Sequence, residues 1–149
     1  MKAPVRKTFR YRDLLIMAAL VAVGILLAFL GPGWRELGYV VIGSVLILSP
    51  LFRSGYKIEG HHGVFRVQEI VVPRECEQEI CSFLHGDSET LDFGSRAPNG
   101  AIVQIFTRKD GPILAQYFDY AKLLAGAEFP IVEINNCQYR VLLDLSKPQ

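Results

Sequence analysis

The chain has 149 residues, half of them hydrophobic, and a net charge of +1. That balance hides an asymmetry: residues 1–13 carry five Lys/Arg against one Asp, whereas residues 54–149 carry nine Lys/Arg against thirteen Asp/Glu. The acidic balance beyond residue 53 argues against a basic nucleic-acid surface there, and about 95 residues leave room for one small domain.

The first segment, 1–13, contains Lys2, Arg6, Lys7, Arg10 and Arg12 with Phe9 and Tyr11 interleaved. Such a run attracts anionic headgroups at about 1 kcal/mol per cation, and it also orients whatever span follows. The five cations are therefore candidate lipid-headgroup contacts, with orientation alone as the simpler use. Asp13 is placed to cap the helix that follows.

Residues 14–30 and 37–52 contain no charged side chain. Each predicts a helix of roughly 25 Å, at the short end of what crosses a bilayer. Residues 31–36 between them are too few for anything but a reversal. The reading is a transmembrane helical hairpin over residues 14–52. Neither span holds an Asp, Glu, Lys, Arg or His, so neither carries the mark of an ion path or proton relay.

The cations before the first span, with Arg53 and Lys57 after the second, place both termini in the cytoplasm of a multi-pass inner (plasma) membrane protein. Trp34 and Tyr39 suit the opposite interface. A signal peptide is the rival reading of the basic and then apolar start. The apolar run exceeds the roughly 7–15 residues of a signal core, however, and a second span follows it. The pairs Ala18/Ala22 and Gly24/Ala28, and Gly43-Ser44, would let the two helices approach closely; a homo-oligomer through the same face is the second use.

Residues 54–149 read as a cytoplasmic domain. Strands are expected at 56–59 and 64–72, joined as a hairpin through Gly60-His61-His62-Gly63. A helix follows over 73–85, opened by a proline and early glutamates and closed by His85 and Gly86. Its residues Cys76, Ile80, Phe83 and Leu84 share one face, which is core. A short strand at 89–93, a loop at 94–100 and a strand at 101–108 come next.

The stretch after the Lys109-Asp110-Gly111 turn fits two templates. One is a helix over 112–125. The other is a strand to about Tyr120 with one helical turn at 121–125, and the strong Asp-Gly turn favours it. A short strand at 130–134 and a helix capped by Asn135 or Asn136, running to about Ser146, complete the chain.

The expected fold class is membrane-anchored α+β: an N-terminal two-helix transmembrane hairpin followed by a small, largely antiparallel sheet domain with two short helices. This order of elements loosely resembles that of membrane-anchored bacterial proteins with a pleckstrin-like domain. No motif residue carries the likeness, and it assigns no family.

Three cysteines, Cys76, Cys81 and Cys137, make a poor disulfide framework and suit a reducing compartment. Cys81 and His85 lie four residues apart on one helix face. With His61 or His62 they would supply metal ligands, and with Glu77 a thiol–imidazole pair. The C-x-x-C and H-E-x-x-H spacings, the Walker loop and the serine elbow are all missing, so no metal or cofactor is expected. The most aromatic run, Tyr117-Phe118-Asp119-Tyr120, offers Tyr117, Phe118 and Tyr120 as candidate interaction residues, since Tyr is enriched at interfaces.

The function expected from these features is a non-catalytic membrane protein whose cytoplasmic domain serves as a protein-interaction or scaffolding module. Its partners would be the lipid bilayer and a protein at the membrane. The alternative is a protective, immunity-type protein acting against a toxin in the bilayer, with a metal- or thiol-dependent enzyme third. The topology has a direct test. A membrane-impermeant thiol reagent applied to intact cells should leave Cys81 and Cys137 unlabelled, and permeabilisation should expose Cys81; labelling from outside would overturn the orientation or revive the signal-peptide reading.

Overall fold

The computed structural model describes residues 5–147, and the chain divides into two compact units, residues 1–64 and 65–149. The first unit is a pair of long helices, α1 (Tyr11–Leu30) and α2 (Pro32–Leu48), the second prolonged by a 3-10 turn at Ser49–Phe52. At 1.5 Å per residue, the 20 residues of α1 reach roughly 30 Å. Both helices are long and apolar enough to cross a membrane.

The expected six-residue reversal shrinks to one residue. Gly31 has φ +148° and ψ 176°, a region open in practice only to glycine, and Pro32 starts α2 at once because a first-turn proline costs no hydrogen bond. Trp34, Arg35 and Glu36 thus belong to the first turns of α2.

The two helices touch backbone to backbone. A Cβ on Gly24 would stand 2.7 Å from Ile42 Cγ1 and 3.0 Å from the Gly38 carbonyl oxygen. One on Gly38 would collide with the Gly24 carbonyl oxygen and lie 2.8 Å from the Ala28 nitrogen. Of the small residues singled out in the sequence, only Gly24 and Ala28 serve this contact. Ala18 and Ala22 are exposed, and Gly43 has open space around it. Away from the seam the surface is apolar and bare: Phe29 is 86% exposed and Ile47 78%.

At the open end of the pair, Asp13 is buried in the first turn of α1. Its carboxylate accepts from the Arg10 backbone N–H at 2.8 Å, from the Ser54 N–H at 3.2 Å and from the Ser54 hydroxyl at 2.7 Å. Rather than sitting at the N-cap position itself, it reaches back to that position and clasps the chain leaving α2.

Beyond this clasp, β1 (Val5–Thr8) pairs antiparallel with β2 (Gly55–Ile58), register Val5↔Ile58 to Thr8↔Gly55. One expectation is corrected here: the strand near 56–59 pairs with the basic amino-terminal segment, which forms a strand, rather than with the strand near 64–72. The helical hairpin has already brought residues 8 and 55 together, so this long-range closure costs little extra entropy.

The second unit is a four-stranded antiparallel meander, β3 (Arg66–Val72), β4 (Ala101–Thr107), β5 (Ile113–Asp119) and β6 (Val132–Ile134), in sequence order. The turn between β4 and β5 carries Asp110 at φ +58°. Two of its helices are α3 (Glu77–His85), which follows a 3-10 turn at Arg74–Cys76, and α5 (Asn136–Leu145). A core of Ile70, Val72, Val103, Ile105, Ala115 and Tyr117 from the sheet meets Cys76 from the 3-10 turn, Ile80, Phe83 and Leu84 from α3 and Leu142 from α5.

The strand expected at 89–93 does not form. Leu91 and Phe93 still pack on the core, but no ladder partner is offered to their backbone. A third helix, α4 (Tyr120–Leu124), occupies the place of the expected single helical turn.

Gln138 ties α3 to α5. It shares a capping box with Asn135 at the start of α5, and its Nε2 donates to the Phe83 carbonyl oxygen at 2.5 Å, near the end of α3. The apolar face of α3 is buried, with Ile80 and Phe83 at 0% exposure. Ile80→Asp should therefore cost several kcal/mol and unfold this unit, because the new carboxylate has no partner. Gln78→Ala on the exposed face should shift the denaturation midpoint by less than about 0.5 kcal/mol. Circular dichroism with denaturant checks both, and equal damage would mean the buried face is wrongly assigned.

Candidate functional site

Strand alternation splits the aromatic run at the end of β5. Tyr117, opposite Val103 in the ladder, turns into the core and is 3% exposed. Phe118 is half-buried on the other face, Asp119 is buried, and Tyr120 opens α4 at 57% exposure. Phe118 and Tyr120 thus stay at or near the surface, whereas Tyr117 is a core residue and is removed from the interaction set.

Asp119 builds the junction. Its Oδ1 accepts from the Ala121 backbone N–H at 2.9 Å, capping α4, and its Oδ2 lies 2.8 Å from Arg74 Nε. The carboxylate is wholly buried while Arg74 is 46% exposed. A buried carboxylate needs both a charge partner and a backbone donor, and Asp119 has them. Arg74 is itself held by its backbone N–H, which donates to Asn99 Oδ1 at 2.7 Å. Lys122 of α4 pairs with Glu77 of α3.

Held in this way, α4 turns Tyr120, Leu123 (44% exposed) and Leu124 (90% exposed) to solvent. Behind them the rings interlock. Phe118 meets Tyr120 edge-on with centroids 4.7 Å apart, and Phe129 lies 5.8 Å from both Tyr117 and Phe118. Gln116 Nε2 donates to the Phe129 carbonyl oxygen at 2.6 Å, keeping the returning chain against β5. Sequence reasoning missed Leu123, Leu124 and Phe129. The one available signal was Asp119, a capping residue directly before a helix-forming Tyr-Ala-Lys-Leu-Leu run.

Burial raises the Cys81 thiol pKa, the Glu77 carboxylate adds to the shift and Lys122 opposes it. A thiol held neutral is a weak nucleophile. His85 does not turn its Nδ1 toward that thiol; the Nδ1–H donates to the Cys81 carbonyl oxygen at 2.8 Å. Cys81 is also half-buried against the core. Arg96 donates from one nitrogen to Cys76 Sγ at 2.8 Å and to Glu79 at 3.1 Å, which pins the loop before β4 to α3. Among the described residues, no group of three His, Cys, Asp or Glu side chains is placed to share a metal ion.

The candidate headgroup contacts fall in the first unit. Arg6, Lys7 and Arg12 are exposed and Arg10 is half-buried, while Lys2 lies outside the described residues. The fold adds two cations to them from across the hairpin: Lys57 stands opposite Arg6, and the Arg53 guanidinium lies 5.2 Å from the centre of the Phe9 ring. Set against protein-family models, curated proteins and solved structures, the chain matches none of them.

Among the described residues the Tyr117 hydroxyl is buried without a hydrogen-bond partner, and burial first, then the Glu77 and Asp119 carboxylates, push it from 10.0 up to about 12. Below the lower value both folded and unfolded chains keep the proton, so nothing changes. As pH rises from 10.0 to about 12 the unfolded chain ionises first, and stability falls. Tyr117→Phe should remove this tyrosine's share of the alkaline loss without lowering stability at neutral pH, because no hydrogen bond is given up. Urea denaturation at pH 8 and at pH 11 measures it; an unchanged alkaline loss, or marked neutral destabilisation, would show that the hydroxyl has a partner.

Proposed function

We propose that the chain is a two-span membrane-anchored protein of the inner (plasma) membrane, with both termini cytoplasmic, and that its β3–β6 unit docks a protein partner without catalysing a reaction. The bare apolar surface of α1 and α2 supports the anchor, since soluble proteins seldom leave such a belt in water. Orientation is supported by the distribution of side chains along the hairpin. The cations gather at the open end, and Trp34 and Tyr39 lie toward the Gly31 end, 55% and 62% exposed.

The observation that carries the docking role is the surface of α4. Among the described residues beyond residue 64, the exposed large hydrophobic side chains are Val71, Tyr120, Leu123 and Leu124, and three of the four stand on this one short helix. Concentrating them there leaves a local apolar patch whose burial by a partner is favourable by about 25 cal/mol per Å². The Asp119–Arg74 pair and the Glu77–Lys122 pair hold the patch in place before any partner arrives, which lowers the ordering cost of binding. Anchoring adds a second gain: confinement to the membrane raises the effective concentration near a membrane-bound partner.

Recovery of a co-purifying partner in mild detergent tests this reading. Tyr120→Ala with Leu124→Ser should lower recovery at least about tenfold if these are anchor residues. Cys81→Ser with His85→Ala should leave it unchanged. An unrelated two-span hairpin in place of residues 14–52 should also leave it unchanged. Loss of the partner on exchanging the spans alone would sink the docking role and favour recognition within the bilayer, as the protective class requires.

A further inference from the structure

The apolar hairpin ends in a basic ribbon. Only two residues separate Thr8 from Tyr11, and two separate Phe52 from Gly55, so β1 and β2 stand directly at the open end of the helix pair. Residues directly opposite in an antiparallel ladder share a face, which sets Arg6 beside Lys57. Lys7 stands on the other face, opposite Tyr56. Arg12 and Arg53 carry the positive charge to the helix ends.

Within residues 5–16 and 49–59 the carboxylates are Asp13, already occupied by the Arg10 and Ser54 donors, and the exposed Glu59 just past the end of β2. Among the described residues, no ion pair joins Arg6, Lys7, Arg12 or Lys57 to a carboxylate. Like charges set opposite each other weaken a ladder unless an anion lies between them. The ribbon is therefore short of negative charge.

What borders it defines the anion. Exposed apolar side chains begin within one helical turn of the cations: Leu14 and Leu15 are 50% and 51% exposed on α1, and Leu51 is 81% exposed after α2. A ligand that satisfies both zones has an anionic group at the ribbon and hydrocarbon along the helices. We infer that the β1–β2 ribbon is a binding site for the headgroups of anionic phospholipids. Arg6 and Lys57 contact the phosphate from one face of the ribbon, Lys7 offers its charge on the other face, Arg12 and Arg53 flank them, and the acyl chains lie against the exposed surface of α1 and α2. The inference rests on the membrane reading given above and deepens it, because the cations that orient the hairpin also select its lipid.

Full-length protein reconstituted in phosphatidylcholine vesicles and probed with spin-labelled phosphatidylglycerol and spin-labelled phosphatidylcholine provides the test. The wild type should hold the anionic probe at least about fivefold more strongly at low salt, and the preference should collapse in about 1 M NaCl. The triple variant Arg6→Gln, Lys7→Gln, Lys57→Gln should lose most of the preference while keeping its helix content and its incorporation into vesicles. Soluble glycerol phosphate should not displace the lipid probe.

Equal retention of both probes by the wild type, or an undiminished preference in the variant, overturns the inference alone. Displacement by glycerol phosphate overturns it as well, since an anion without hydrocarbon would then suffice. Failure of the wild type to enter vesicles overturns the membrane reading and this one with it.

Discussion

The backbone contact between Gly24 and Gly38 governs the first unit. Where neither helix carries a side chain, the two backbones come within van der Waals distance, and Ile42 and Ala28 close around the contact. With Gly31 as the sole connecting residue, the ends of the pair at residues 11 and 52 are obliged to meet. The Asp13 carboxylate then bonds Ser54, and the chain on either side has nowhere to go except alongside itself. A strand pair and a cluster of cations follow from that closure. For a pair that crosses a bilayer, small residues matter more than in water, because in hydrocarbon close packing replaces the hydrophobic drive between helices.

A single carboxylate plays the corresponding part in the second unit. Asp119 is the last residue of β5, the cap of α4 and the partner of Arg74. Each role alone is ordinary. Together they fix where the strand stops and which way the short helix leaves it, so that leucine side chains with no core to join are left facing solvent. The opposite edge of the core is tied in a similar manner by Gln138, whose amide satisfies carbonyls at the end of α3 that a solvent-exposed helix would leave to water.

Legibility varied with the range of the interaction involved. The two long helices, the buried face Cys76–Ile80–Phe83–Leu84 and the β4–β5 hairpin across Lys109-Asp110-Gly111 could all be read from local pattern, because periodicity and turn chemistry are properties of neighbouring residues. The cap at Asn135 was readable for the same reason. The pairing of residues 55–58 was not. A Gly-His-His-Gly loop between two β-prone stretches is a fair hairpin signal, yet the competing strand lay some fifty residues upstream in a segment whose composition spoke only of charge. Residues 89–93 misled in the opposite sense, since Leu91 and Phe93 alternate like a strand but are held by packing on the core and by local turn hydrogen bonds rather than by a ladder.

By itself the sequence determined what is local or additive: two apolar helices, their flanking charges, the amphipathic face of α3 and the antiparallel turns. Tertiary structure decided what depends on which surfaces meet. It put Tyr117 in the core and left Tyr120 outside, though both belong to one aromatic run, because a strand and a helix join between them at Asp119. It turned the Cys81 thiol inward and gave the His85 Nδ1 to a backbone carbonyl. It also set Lys57 beside Arg6. No periodicity encodes that neighbourhood, which follows from a glycine contact halfway along the helices and from the closure it imposes at their ends.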